Sequence, residues 1–93
     1  MKRLSDDYRG ATISEGTLRT DDIVAAMRPV LEQYDEGREL LIAFETETDV
    51  QCKLDILDEM FDFMDSVAPE GCAFCAHPGD GSLFGFWPEE ILG

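Results

Sequence analysis

The sequence predicts a small α+β domain with two main helices, at about 21–35 and 49–67, packed with a C-terminal β-hairpin at about 72–77 and 83–87. Three observations carry this expectation. Apolar residues recur at helical spacing in two separate stretches. Two short runs rich in Cys, Ala, Phe and Trp flank a cluster of Pro, Gly, Asp and Ser, the pattern of a hairpin. The chain has 93 residues, 44% of them hydrophobic, which suits one domain with a modest core.

Taken in order, residues 1–10 are polar and read as a flexible N-terminus, leaving 11–93 as a single domain. A short strand is expected at 11–14. Thr20 reads as an N-cap, with Asp21 and Asp22 well placed for the helix dipole. Ile23, Val24, Met27, Val30, Leu31 and Tyr34 then follow helical spacing. Pro29 falls inside this run, where it removes a backbone donor and is expected to kink or split the helix. Asp35-Glu36-Gly37 reads as its end. Residues 40–44 form an apolar run whose periodicity does not decide between strand and helix, and 45–47 read as a linker. Thr48-x-x-Gln51 has the form of a capping box opening the main helix, and Ala68-Pro69 stops it. Glu70-Gly71 turns the chain into the first strand, and Pro78-Gly79-Asp80-Gly81-Ser82 forms a five-residue turn with glycines for φ > 0. A hairpin is not stable alone, so it must pack on the helices.

The main helix divides lengthwise by chemistry. Asp55, Asp58, Asp62 and Asp65 recur at spacings of 3, 4 and 3, and Leu54, Leu57, Phe61 and Met64 recur one residue earlier. The two series form adjacent stripes on one helix. No Lys or Arg interrupts the acidic one, and Lys53 sits at the edge of the apolar side. Asp62 and Asp65 lie near the helix C-terminus, where the dipole disfavours acids by about 0.3–1 kcal/mol each. Like charges at i,i+3 and i,i+4 cost a few tenths of a kcal/mol more per pair. A stripe that costs stability points to recognition, and Asp55, Asp58, Glu59, Asp62 and Asp65 are the candidate partner-binding residues. A solvated face opposite a core face is the plainer reading of the same pattern. Met60, Phe61, Phe63 and Met64 form an adaptable apolar cluster, read first as core. The apolar arc is wide enough to meet both the first helix and the hairpin. Any part left uncovered would be a docking patch or a dimer face.

Charge narrows the partner class. The chain holds 21 acids and 7 bases, net −14. Residues 1–38 carry 8 acids and 6 bases, whereas 39–93 carry 13 acids and one base, Lys53. Such a surface repels nucleic acid, anionic lipid and acidic substrates, and attracts basic proteins and cations, so cation binding is a further reading of the acidic stripe. No apolar run approaches the ~18 residues of a membrane span. Met1-Lys2-Arg3-Leu4 leads straight into Ser5-Asp6-Asp7 rather than a signal-peptide core, so a cytoplasmic location is expected.

Catalytic and metal chemistry find little footing. Cys52, Cys72, Cys75 and His77 supply the donor types of a zinc site, but Cys72 and Cys75 on a strand point to opposite faces. Buried, apolar, free cysteines are the expectation, with no cofactor. His77, Asp80 and Ser82 cluster around one turn, whereas triad members usually come from separate segments. Pro78-Gly79-Asp80-Gly81 lacks the helix and Lys of a phosphate loop.

Two segments carry a resemblance. Gly16-Thr17-Leu18-Arg19-Thr20-Asp21-Asp22 lies near the start. Ala68-Pro69-Glu70-Gly71, His77-Pro78-Gly79-Asp80-Gly81-Ser82 and Phe84-Gly85-Phe86-Trp87-Pro88 lie near the end. Together they resemble small acidic proteins of actinobacterial phages and prophages, in which a G-T-L-R opening and an H-x-G-D-G-x-x-F-G-F-W-P hairpin flank a variable acidic helical middle. The resemblance implies no catalytic residues. It implies an accessory protein acting in the cytoplasm of a bacterial host cell, of the kind that binds and inhibits host factors, among them nucleic-acid-binding defence enzymes. The leading expectation is therefore a non-enzymatic protein that binds a basic host surface, with charge mimicry of nucleic acid as its sharper form. The alternatives are an assembly module using the Met/Phe face, as a homodimer for instance, and a small zinc-binding domain.

Overall fold

The computed structural model describes residues 3–92, Leu92 by its backbone only. Met1 and Lys2, part of the expected flexible start, lie outside them. The fold is α+β. Strand β1 (Thr12–Ser14) is followed by helices α1 (Thr20–Leu31), α2 (Asp35–Thr46) and α3 (Val50–Ser66). Strands β2 (Cys72–His77) and β3 (Asp80–Pro88) come next, then a final turn of helix, α4 (Glu89–Leu92). The sheet is antiparallel in the order β1-β3-β2.

From Arg3 onward, the start is packed rather than loose. Leu4 is buried, and its amide donates to the Val67 carbonyl at 2.8 Å. Asp6–Tyr8 makes one 3-10 turn, and the Tyr8 ring stands edge-on to Phe86 at 6.0 Å. These two apolar side chains anchor the stretch together with bonds from the Gly10 amide to the Phe86 carbonyl at 2.8 Å and from Arg9 to the Glu70 carbonyl at 3.0 Å.

Helix α1 begins with Thr20 already helical, and Arg19 holds the cap position without a side-chain bond. Thr17 does the local work expected of Thr20. Its hydroxyl accepts from the Arg19 amide at 3.1 Å and donates to Asp22 at 2.9 Å. Pro29 does not split the helix: it falls in the last turn, where it forgoes the bond its own N–H would make to the Ala25 carbonyl, and the Glu32 amide still closes on the Arg28 carbonyl at 2.9 Å.

The largest correction is α2. Asp35 and Glu36 open this helix rather than closing the previous one, which is where the dipole favours acids. Residues 40–44, undecided from periodicity, are helical, and Leu41 and Phe44 enter the core. Gly37 reads as a breaker but is buried in the first turn of α2. A Cβ there would lie 2.2 Å from the Leu31 carbonyl oxygen. Glycine thus allows α2 to start hard against the end of α1.

Helix α3 is capped one residue later than the capping-box pattern suggests. The Asp49 carboxylate accepts from the amides of Gln51 and Cys52 at 2.9 and 3.2 Å. Leu57, Met60, Phe63 and Met64 are buried, Phe61 is half-buried and Leu54 is exposed. As the width of the apolar arc predicts, α3 meets both α1 and β2, and it meets α2 as well.

The hairpin is tighter than expected. Only Pro78 and Gly79 separate the strands, and β3 begins at Asp80. The Asp80 carboxylate accepts from the amide and hydroxyl of Ser82, and His77 Nδ1 accepts from the Gly79 amide at 3.0 Å. These side-chain bonds stand in for the left-handed glycines that the sequence suggests, since neither Gly79 nor Gly81 has a positive φ. Gly71, at the turn from α3 into β2, does, at 80°. Phe74 and Phe86 face the helices, with Phe61 stacked on Phe74 and Phe84 at 5.7 and 5.6 Å. Trp87 alternates to the other side of β3, edge-on to His77 at 5.1 Å. Its indole lies across Gly85, where a Cβ would approach it to 2.8 Å.

Candidate functional site

The candidate surface is the solvent side of α3. At about 100° per residue, Asp65, Asp58, Asp62, Asp55 and Glu59 cover an arc of about 120°. Asp65 lies at the sheet edge of this arc and Glu59 at the edge nearest α2. All five residues are exposed. The ion pairs among the described residues are Arg9–Glu90, Arg28–Glu45 and Arg38–Asp35, and none reaches the stripe. Lys53, the nearest base in sequence, is turned away from it and lies over the Phe44 ring, 4.8 Å from the centroid. That cation–π contact leaves the acidic face without a counter-charge among the described residues.

Asp65 differs from the other four. Its carboxylate accepts from the Phe74 amide at 3.1 Å. Strand β2 is an edge of the sheet, and alternate amides along it face outward. Of these, Cys72 N–H donates to the Pro69 carbonyl at 3.0 Å and Phe74 N–H to Asp65. An uncharged edge strand is open to pairing with another chain. Here Asp65 takes up one of its donors and sets a negative charge beside it. The structure brings Asp55, Asp58, Glu59 and Asp62 together as a free surface and gives Asp65 an internal bond.

The Met/Phe face is spent on the core. Met60 and Met64 have no exposed surface and Phe63 is 5% exposed, so of the adaptable cluster Phe61, half-buried, keeps most of the surface left outside. The most exposed part of the apolar side is at the start of α3, at Val50 and Leu54.

The cysteines are not the fully buried residues expected: Cys52 is exposed and Cys72 and Cys75 are half-buried. Cys52 is on the first turn of α3, whereas Cys72 packs toward the core and Cys75 alternates to the opposite face of β2. Among the described residues no three His, Cys, Asp or Glu side chains stand close enough to hold a metal ion. The Cys52 thiol is raised above its ordinary pKa, first by the Glu47 carboxylate, then by partial loss of water and by Asp49 and Asp55. The Cys75 thiol is raised too, by burial and then by the charge of Asp65. A raised thiol is a poor nucleophile. His77, Asp80 and Ser82 spend their hydrogen bonds on the turn itself, and Ser82 pulls the Asp80 carboxyl below its usual range.

The sequence does not reveal what lies beside the stripe. Because α2 is a helix running back along α3, Glu36 and Leu40 stand against Glu59, Asp62, Phe63 and Ser66 around an open groove of about 440 Å³. The helical spacing of Leu40, Leu41 and Phe44 was the available signal, and Gly37 masked it. No protein-family model, curated protein or solved structure matches the chain. Among the described residues no helix is long and apolar enough to cross a membrane.

Proposed function

We propose that this is a non-enzymatic interaction protein that uses the acidic face of α3 to bind a basic protein surface, in the manner of a nucleic-acid mimic. The observation that carries the reading is the exposed stripe of Asp55, Asp58, Glu59 and Asp62, whose nearest base in sequence, Lys53, is held over Phe44 instead. These four carboxylates lie within eight residues, seven helical steps or about 10 Å of helix axis. That is about one charge per 3.5 Å of helix axis, against ~3.4 Å of duplex axis per phosphate of one DNA strand. A row of this density fits a cleft built for a phosphate backbone, and complementary charge of this kind raises on-rate and selects partners. The resemblance of the G-T-L-R opening and the closing hairpin to phage proteins supports a setting in the cytoplasm of a bacterial host. There the partner would be a nucleic-acid-binding host factor and the effect its inhibition.

The test is affinity purification from an actinobacterial host at low and high salt, followed by competition between this protein and DNA for the captured factor. The reading expects a nucleic-acid-binding protein that is released by salt and by DNA. It also expects binding to weaken when Asp55, Asp58, Glu59 and Asp62 become Asn or Gln together. Binding that survives both salt and amide substitution would sink it.

A further inference from the structure

We infer that the groove between α2 and α3 is the anchoring half of this surface, and that it takes an apolar side chain flanked by Lys or Arg on a helix of the partner. The inference deepens the reading of the acidic face and rests on it. The groove is built by both helices of an antiparallel pair, at the end where α2 begins and α3 finishes. Its volume, about 440 Å³, and its six lining residues define two chemistries. Leu40, half-buried, and Phe63, 5% exposed and held edge-on by Tyr34 at 5.4 Å, make an apolar floor. Glu36 on one wall and Glu59 and Asp62 on the other are exposed carboxylates with no hydrogen bond or ion pair among the described residues. Among the described residues no Lys or Arg lines it. Arg38, two positions in sequence from both Glu36 and Leu40, is occupied elsewhere by Asp35 and the Glu32 carbonyl.

Charge selects the occupant. A second copy of this chain also carries net −14 and is repelled, as are nucleic acid and anionic lipid. A bare cation has no use for the Leu40–Phe63 floor. A basic amphipathic helix satisfies both parts. One apolar side chain covers the floor, and Lys or Arg three or four residues to either side lay their stems along the rim and their charges against the two walls. The exposed stripe then steers the encounter, and the desolvated contact in the groove sets the lifetime of the complex.

The experiment uses the full chain with two synthetic helical peptides of equal positive charge. One carries a central Leu between Arg residues, and the other carries Ser in place of that Leu. Binding is followed at two salt concentrations by NMR, reading the Leu40 methyl and Phe63 ring signals alongside those of Asp55 and Asp58. The expected result is movement of Leu40 and Phe63 with the Leu peptide, and affinity lower by about tenfold or more for the Ser peptide. Glu36→Lys, an exposed change that leaves the core alone, is expected to weaken the Leu peptide by a similar factor. If both peptides bind equally, or only Asp55 and Asp58 respond, the groove assignment is overturned while the basic-surface reading stands. If neither peptide binds at low salt, both fall.

Discussion

At the scale of single residues, the five acids of α3 separate by what they touch. Asp65 bonds the Phe74 amide at 3.1 Å, so Asp65→Ala strands a part-buried donor and is expected to cost about 1–2 kcal/mol. Asp62 has no such partner and sits near the helix C-terminus, so Asp62→Asn is expected to raise stability by about 0.3–1 kcal/mol while weakening partner binding. Urea denaturation of the two variants reads both changes, and equal effects would contradict the division of roles. Cys52 offers a second check. Its pKa is raised chiefly by Glu47, so the thiolate forms only at higher pH than for an ordinary cysteine. Iodoacetamide is therefore expected to modify Cys52 more slowly than free cysteine at pH 8 despite its exposure. Glu47→Gln or added salt should speed the reaction.

At the scale of elements, the contact that decides the fold is the one between the end of α1 and the start of α2. Glycine in a helix interior ordinarily costs about 0.5–1 kcal/mol relative to alanine. Gly37 reverses the sign, because a Cβ at that position would lie 2.2 Å from the Leu31 carbonyl oxygen. Gly37→Ala is therefore expected to destabilise by about 1–3 kcal/mol, seen as a lower denaturant midpoint with an unchanged slope. A gain in stability would show that α2 does not start where it is placed here. The hairpin turn has a pH dependence of its own. Asp80 is held below its usual pKa by the amide and hydroxyl of Ser82. Its contribution is complete above the ordinary carboxylate range and is lost as pH falls through the lowered folded value. Asp80→Ala should remove that contribution and flatten this part of the acid profile.

At the scale of the whole molecule, net charge sets the response to salt. With 21 acids against 7 bases, and with the three exposed ion pairs among the described residues contributing little, repulsion outweighs attraction over the surface. Added salt screens it, so Tm is expected to rise with ionic strength while affinity for the basic partner falls. The opposite trends separate folding from binding in one buffer series. A Tm that falls with salt would mean that attractive pairs dominate and that the acidic surface is not under electrostatic stress.

The local patterns along the chain determined a good deal by themselves. They determined the α+β class, the long helix with its acid and apolar stripes, the stop at Ala68-Pro69 and the hairpin after Gly71. Each depends on spacing or on the stereochemistry of a few neighbouring residues. Tertiary structure decided what those neighbours do not encode. It made Gly37 part of a helix, because the relevant contact is with Leu31 rather than with residues 36 or 38. It bound the start of the chain through Leu4 and the Val67 carbonyl, 63 positions away in sequence. It turned Asp65 toward a strand edge and left its four companions free, and it set Glu36 and Leu40 beside them. A stripe on a helix follows from periodicity alone; which of its charges face a partner depends on what packs against its two borders.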